Sequence, residues 1–372
     1  MKQTNGQAII QAFEAFSPKG YAVEGDKVGL QIGTLNKNVN KVMVALDVIE
    51  PVVDEAIEQG VDLIIAHHPI IFKPIKALRT DQVYGRTVEK LIKHDIAVYA
   101  AHTNLDVAPG GVNDLMAKAL GLEETEVLVE TYEDPLKKVA VFVPEDSAER
   151  VREAMGQAGA GHLGNYSHCS FNTSGTGMFK PGEGTDPFIG EQGKMEQVNE
   201  LKIESVFPAS IEKRVVRAMV NAHPYEEVAY DLYDMAVPGE KLGLGRIGGL
   251  KSDMTLAEFG EHVKQAFDVS GARVVGDMTR KVSRVAVLGG DGNKYVNQAL
   301  FKGADVFVTG DLYYHVAHDA MMEGLMMVDP GHNVEKVMKE GVASFLSSFM
   351  KEKKYDTKIV VSKVNTDPFQ FI

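Results

Sequence analysis

The sequence predicts an α/β fold, in which two α/β halves with mostly parallel strands form a core and an inserted ferredoxin-like α+β domain separates them. Apolar runs alternate with amphipathic helices near both ends of the chain, as in βαβ crossovers. This order of elements changes between residues 134 and 231. A chain of 372 residues also exceeds what one hydrophobic core usually holds. We therefore expect a first core half at 1–129, an inserted domain at 130–236 and a second core half at 237–372.

The first half opens with an amphipathic helix at residues 4–16, in which Ile9, Ile10, Phe13 and Phe16 share one face. A segment punctuated by glycines follows at 24–33. The remaining predicted elements are, in order, strand 42–47, helix 51–59, strand 62–66, helix 83–93, strand 97–102 and helix 112–120.

One apolar run in this half ends on two adjacent histidines, His67 and His68, just before Pro69. Because the proline would bend the chain out of the pleat, both imidazoles could face one site. The preceding strand ends in Asp47 and the following one in the segment 102–106, HTNLD. Open α/β sheets bind ligands at the carboxyl ends of their strands, so we expect these polar groups to share one edge.

The middle of the chain has the split βαβ order, which usually gives antiparallel neighbours. Its elements are strand 139–143, helix 147–158, a tract rich in Gly, Ser and Thr at 159–193, strand 199–207, helix 211–222 and the motif HPYEEVAYD at 223–231, which turns into a strand.

The second half returns to alternating elements. They are helix 255–267, strands 272–275 and 282–288, helix 294–301, strand 305–308, helix 313–323, strand 325–328, helix 332–353 and strand 358–364. Two of its strands also end in polar segments, 309–311 (TGD) and 329–332 (DPGH). The segment 243–248 matches GxGxxG, but it follows Pro238-Gly239 instead of a strand. We predict a turn there and no dinucleotide site.

Composition excludes several classes of protein. The net charge of −13 disfavours binding to a phosphate backbone, so nucleic acid is not an expected partner. The single Cys169 excludes an internal disulfide and a cysteine-based zinc site. P-loop and nucleophile-elbow motifs are absent from the sequence. The chain has no signal-like start and no apolar run long enough for a bilayer, which predicts a cytoplasmic protein without membrane contact.

Polar residues at strand ends from both halves predict a metal centre. The candidate groups are His67, His68, His102, Asp106, Asp311, His315, His332 and Glu335. Imidazole and carboxylate suit zinc, manganese, iron or another divalent ion. So many ligands favour two ions, roughly 3.5–4 Å apart and bridged by a carboxylate and a water. Asp106, in a predicted loop, is our candidate for the bridge, and His332 and Glu335 are spaced to share one helix face.

A pair of divalent ions would make metal-assisted hydrolysis the default reaction. Asp311 and His315, with His318 nearby, are our candidates for holding or moving protons during that reaction. His315 and His318 lie three apart in a predicted helix, so they could equally be ordinary histidines of a helix surface.

Several motifs, in order, resemble the family of GTP cyclohydrolase 1 type 2 homologues, also called NIF-three-like proteins. They are GDKVGLQIG at 25–33, VALD at 44–47, LIIAHHPIIF at 63–72, AAHTNLD at 100–106, VTGD at 308–311 and DPGH at 329–332. The middle segment resembles the insert of the longer bacterial members, a domain similar in fold to the PII and CutA signalling proteins. The resemblance implies a toroidal homohexamer with a dinuclear site in each subunit, zinc being expected ahead of manganese or iron. It carries the metal ligands onto His67, His68, Asp106, His332 and Glu335.

Two functions follow from these observations. The first is a metal-dependent hydrolase that acts on a nucleotide or a phosphorylated metabolite, as the family name implies. The alternative is a hexameric regulatory or metal-handling assembly without catalysis, whose insert senses a small-molecule effector.

Overall fold

A computed structural model describes residues 2–372, which form two compact units. We call them the core unit, which comprises the described residues through Tyr132 together with Leu242–Ile372, and the middle unit, Glu133–Lys241. These residues form a mixed α/β structure with three sheets, which confirms the predicted α/β class. The assignment of the middle unit to an inserted PII/CutA-like domain stays a prediction.

The strands are β1 (Gly29–Ile32), β2 (Lys41–Ala45), β3 (Leu63–Ala66), β4 (Ala97–Ala100), β5 (Leu122–Asp134), β6 (Leu136–Pro144), β7 (Phe171–Phe179), β8 (Glu196–Pro208), β9 (Tyr230–Asp234), β10 (Glu240–Thr255), β11 (Arg273–Val275), β12 (Lys281–Asp291), β13 (Val306–Gly310), β14 (Met326–Asp329) and β15 (Lys358–Val361). The α-helices are α1 (Gly6–Phe16), α2 (Glu50–Gln59), α3 (Val83–Lys93), α4 (Thr103–Val107), α5 (Val112–Ala119), α6 (Ala148–Gln157), α7 (Glu212–Ala222), α8 (Leu256–Phe267), α9 (Val296–Phe301), α10 (Tyr314–Met322) and α11 (Val337–Lys353).

The first sheet of the core unit has the order β1-β4-β3-β2-β15. Its four strands from β4 to β15 are parallel, and β1 runs antiparallel to β4 at one edge. All four residues of β3 are buried, as expected for a central parallel strand covered on both faces. The last strand, β15, comes from the second half of the chain and pairs with β2 from the first.

The second sheet has the order β11-β14-β13-β12-β10-β5. Its centre, β12 to β14, is parallel, whereas β11 and β10 run antiparallel to their neighbours β14 and β12. The predicted parallel character therefore describes the first sheet better than the second. Because β5 precedes residue 135 and β15 follows residue 357, each sheet includes a strand from the other half of the chain.

The middle unit contains an antiparallel sheet of order β7-β8-β6-β9 and the two helices α6 and α7. Its strand–helix–strand–strand–helix–strand order is that of a split βαβ unit, but β7 lies in the tract 159–193, where the sequence pattern indicated no strand. Buried side chains of β6, β8 and both helices form its own hydrophobic core, including Val141, Ile203, Val151 and Val215.

Two local predictions were wrong. Asp106 lies in helix α4 and not in a loop, because a five-residue helix is too short to produce a periodic pattern. The GxGxxG segment lies inside β10 and is not a turn. A Cβ on Gly243 would lie 1.8 Å from the carbonyl oxygen of Val129, so glycine here permits close backbone approach within the sheet.

Across residues 2–372, the helices are all too short or too polar to cross a lipid bilayer.

Candidate metal site

Polar side chains from both halves of the chain meet at one place in the core unit. His67 and His68 follow β3, His102 follows β4, and Asp106 lies in α4 directly after it. His332 and Glu335 lie in a single 3-10 turn, His332–Lys336, after β14. Three groups have ligand atoms within 4.8 Å of one another and could hold a metal ion: His67, His68 and His102; His68, His332 and Glu335; His67, Asp106 and Glu335. All five predicted ligands are among them.

Glu335 occupies the centre of this cluster. Its Oε2 lies 3.0 Å from Nε2 of His68, 3.2 Å from Nε2 of His332 and 3.6 Å from Nε2 of His67. The Oδ1 atom of Asp106 lies 3.6 Å from Nε2 of His67. The role of Asp106 as the bridging ligand stays a prediction, and it is the Glu335 carboxylate that faces three imidazoles.

Each of the four imidazoles is held from outside the cluster through its Nδ1. The Nδ1 partners are the carbonyl oxygen of Ala101 for His67 at 2.8 Å, Asp47 for His68 at 2.6 Å, Asp26 for His102 at 2.8 Å and Asp311 for His332 at 2.7 Å. Such outer acceptors fix the tautomer and the ring orientation of metal-binding histidines. The Nε2 atoms of His67, His68 and His332 are thereby directed at Glu335.

Two atoms of the cluster are buried without a hydrogen-bond partner among residues 2–372: Nε2 of His67 and Oδ1 of Asp106. Both residues are buried, and leaving such groups unpaired costs about 1–3 kcal/mol each. A divalent cation would satisfy both atoms at once, since imidazole nitrogen and carboxylate oxygen are its usual ligands. The residues present therefore fit a metal ion.

The surroundings of His68 and His332 favour the positively charged form of both imidazoles. Hydrogen bonds from His68 to Asp47 and Glu335 outweigh its burial and raise its pKa to about 10. For His332, the hydrogen bond to Glu335 is the main cause of a pKa raised to about 9. Burial raises the pKa of Asp106 to about 6. The pKa of Glu335 is held well below its usual value, because the charge of His67 and hydrogen bonds from His332 and His68 outweigh its burial.

Backbone geometry beside the cluster is unusual at two positions. Gly290, at the end of β12, has φ +66°, and a Cβ there would lie 2.9 Å from Oε1 of Glu335. Asp311 also adopts positive φ, at 54°, which is uncommon for a residue with a side chain. Its carboxylate holds His332, so this local strain orients a candidate ligand.

Asp311 thus lies beside the cluster, whereas His315 is exposed on α10. The ring of His315 lies 5.4 Å from that of Tyr314, and that of His318 lies 4.7 Å from it. Among the described residues, neither histidine belongs to a group that could hold a metal. A role for His315 in proton transfer stays a prediction.

Comparison with known proteins shows to which family the chain belongs. The family Duf34/NIF3 (NGG1p interacting factor 3) matches residues 4–368. The chain belongs to this family. A Bacillus subtilis (strain 168) relative named GTP cyclohydrolase 1 type 2 homolog is 63% identical over 372 residues and covers all of both chains; one from Halalkalibacterium halodurans is 62% identical, with the same coverage.

Solved structures of the Duf34/NIF3 family agree with the fold. The crystal structure of a Bacillus cereus protein related to NIF3 has a TM-score of 0.96 at 61% identity, and all of both chains is covered. The Staphylococcus aureus protein SA1388 has a TM-score of 0.78 at 34% identity, again over both whole chains. The resemblance predicted from the motifs is therefore confirmed.

Sequence reasoning missed several residues that support the candidate site in this Duf34/NIF3 chain. Asp26 holds His102 and accepts a 3.0 Å hydrogen bond from the backbone N–H of Thr103. Asn113 donates to the carbonyl oxygen of Asp106 and accepts from the N–H of Gly289, both at 3.0 Å, and so joins the two halves. Asp26 lies in the motif GDKVGLQIG that carried the resemblance, whereas the spacing of Asn113 gave no signal.

Proposed function

We propose that this protein is a metal-dependent hydrolase with two divalent ions per subunit, acting on a nucleotide or a related phosphorylated metabolite. The observation that carries the proposal is a pair of buried atoms without a hydrogen-bond partner among residues 2–372, His67 Nε2 and Asp106 Oδ1, within a cluster of imidazoles and carboxylates. The substrate class comes from the name of the relatives, GTP cyclohydrolase 1 type 2 homolog.

Two overlapping ligand sets support the number of ions. One is His67, Asp106 and Glu335, and the other is His68, His332 and Glu335. They use all five predicted ligands and share only Glu335, which would bridge the ions. Zinc suits this nitrogen and oxygen donor set, and manganese or iron would also fit it.

Bound ions of this kind would supply Lewis acidity to a substrate oxygen and lower the pKa of a nearby water. The chain itself contributes orientation. Asp47, Asp311 and the carbonyl oxygen of Ala101 hold the imidazoles so that each presents Nε2 to the cluster. Asp311, which is hydrogen-bonded to Nδ1 of His332, would accept a proton during the reaction.

The test combines metal analysis with turnover. Purified protein should contain close to two divalent ions per chain, measured by mass spectrometry of the elements, and should hydrolyse at least one member of a nucleotide panel that includes GTP. Asp106→Asn should lower metal affinity at least about 100-fold, because even the outer partners of metal ligands are worth 10–100-fold. His94→Ala, an exposed histidine at the end of α3, is the matched control and should retain metal and activity. Metal-loaded protein without turnover on the whole panel would contradict the proposal.

That negative result would favour the second candidate, a regulatory or metal-handling assembly without catalysis. The observation in its favour is a cavity in the middle unit, apart from the cluster in sequence and lined only by residues of that unit. Under this alternative, metal content would match that of the first candidate and only turnover would be missing.

A ring of six subunits belongs to the same proposal and is supported by the motif resemblance. Light scattering of the purified protein should give six times the chain mass of 40.6 kDa. A monomer at working concentrations would remove this part of the proposal and leave the metal chemistry to be judged on its own test.

A further inference from the structure

A cavity of the middle unit is built around the motif HPYEEVAYD. Its volume is about 540 Å³, within the range of small-molecule sites. Strands β6, β7 and β8, the loop after β7 and the segment after α7 all contribute to its lining.

Aromatic rings form much of the cavity wall. The centroid of the Tyr225 ring lies 5.7 Å from that of Phe179 and 6.3 Å from that of Phe188, and Phe142 lines the cavity from β6. Aromatic faces carry partial negative charge and therefore attract cations. Their apolar surface also packs against flat apolar groups.

A buried carboxylate lies in the same cavity. Glu200 of β8 is only 7% exposed, and Tyr225 Oη donates a 3.0 Å hydrogen bond to its Oε1. Across residues 2–372, Oε2 of Glu200 receives no hydrogen bond and no ion pair. A Cβ on Gly177 would lie 2.2 Å from this Oε2, so the missing side chain of Gly177 leaves room for the carboxylate.

The HPYEEVAYD motif fixes the position of Tyr225. His223 is buried and its Nε2 donates to the carbonyl oxygen of Phe142 at 3.0 Å, while its Nδ1 accepts from the N–H of Tyr225 at 3.1 Å. These bonds require a neutral imidazole, in agreement with burial, which lowers the pKa of His223. His223 therefore positions Tyr225, and Tyr225 in turn positions Glu200.

The charge around the cavity is negative. Glu200, Glu226 and Glu227 line it, against a single lysine, Lys180. Glu226 also accepts hydrogen bonds from the N–H of Asp186 at 3.1 and 3.3 Å, which ties the loop after β7 to the motif. A phosphorylated or carboxylated ligand would be repelled from such a site, whereas a cation would be attracted.

We propose that this cavity binds a small organic cation, whose amidinium or protonated amine pairs with Oε2 of Glu200 while its organic body lies against the rings of Phe179, Phe188 and Tyr225. A charged N–H donor would complete the hydrogen bonding of a nearly buried carboxylate, and the rings would add cation–π attraction. This site lies wholly within the middle unit and does not depend on metal-dependent hydrolysis.

The proposal can be tested on the full-length protein by isothermal titration calorimetry with three small molecules of the same shape and different charge. Benzamidine carries the cationic amidinium, benzamide is its neutral isostere and benzoate its anionic counterpart. Benzamidine should bind saturably, and at least about tenfold more tightly than the other two, since charge-assisted hydrogen bonds are roughly twice as strong as neutral ones. Glu200→Gln should lower benzamidine affinity about tenfold or more. Tyr225→Phe keeps the ring and removes the bond to Glu200, and should weaken binding less.

Glu204→Gln is the matched control, because Glu204 lies on the same strand and is not part of the cavity lining. It should bind benzamidine like the unchanged protein, as should protein treated with EDTA. Equal binding of benzamide and benzamidine would overturn the proposal, as would undiminished binding of benzamidine by Glu200→Gln. Absence of saturable benzamidine binding below about 10 mM, the affinity that modest ligand efficiency gives so small a molecule, would overturn it too.

Discussion

At the scale of single residues, the candidate site depends on which nitrogen each histidine presents. Nδ1 of His67, His68 and His332 is occupied by an acceptor outside the cluster, so only Nε2 remains for a ligand inside it. The identities of these three histidines could be predicted from strand ends and family motifs. Their orientation could not, because the carbonyl oxygen of Ala101 and the carboxylate of Asp311 gain their roles only through the fold.

The raised pKa values predict how metal binding depends on pH. His68 and His332, with pKa values of about 10 and 9, are protonated at pH 7 in the metal-free protein. A coordinating imidazole must lose that proton, so each binding event at pH 7 should release protons to the buffer. The pKa of His67 is raised as well, by the charges of Asp106 and Glu335, which outweigh its burial. Titration with zinc in buffers of different ionisation enthalpy should therefore show at least two protons released per chain, and affinity that rises from pH 6 to about 9.

Binding heats that do not depend on the buffer would contradict this prediction. Mutation of His94 offers the control, since it lies outside the cluster and His94→Ala should release the same number of protons as the unchanged protein.

At the scale of elements, the sequence pattern was most informative for amphipathic helices and fully buried strands, and least for a very short helix and for an exposed strand. Helix α3 has the predicted bounds, and β3 differs by one residue. The five-residue helix α4 was missed, although it contains Asp106. Strand β5 was missed as well, since most of its residues are at least partly exposed and give no buried stripe. Pairing between strands distant in sequence, such as β15 with β2, leaves no local pattern to detect.

The backbone at the end of β12 indicates that Gly290 is needed to leave room for the Glu335 carboxylate. Alanine at Gly290 would adopt φ +66° and place its Cβ 2.9 Å from Oε1 of the buried Glu335. Gly303 has a similar φ of +75° with nothing within 4 Å of an added Cβ. Both Gly290→Ala and Gly303→Ala should lose about 1–2 kcal/mol of unfolding free energy from the left-handed backbone. Only Gly290→Ala should also lower zinc affinity, by about tenfold or more, because it displaces the central carboxylate.

Unfolding in denaturant and zinc competition with a chelator would measure the two effects separately. If Gly303→Ala lost as much zinc affinity as Gly290→Ala, the loss would reflect general destabilisation, and the contact with Glu335 would have no special weight.

At the scale of the whole molecule, the two proposed sites lie in different compact units and would take different cations. The metal cluster belongs to the core unit and the aromatic cavity to the middle unit. A net charge of −13 favours cations at both. An ion bound only by the native state at 100 times its dissociation constant would stabilise it by about 2.7 kcal/mol. Local protection against opening should be greatest in the segments that contact the buried cluster.

Hydrogen exchange followed by mass spectrometry can locate each effect along the chain. Zinc should slow exchange in segments that surround the cluster, at the ends of β3 and β12 and in α4, because opening these segments would break metal ligation. Benzamidine should instead slow exchange in β7, β8 and the segment around Tyr225. Asp106→Asn should abolish the zinc effect and leave the benzamidine effect intact, and Glu200→Gln should do the reverse. Zinc protection of β7 and β8 that survives Asp106→Asn would place a metal in the middle unit and refute the division of the two cations between the two units.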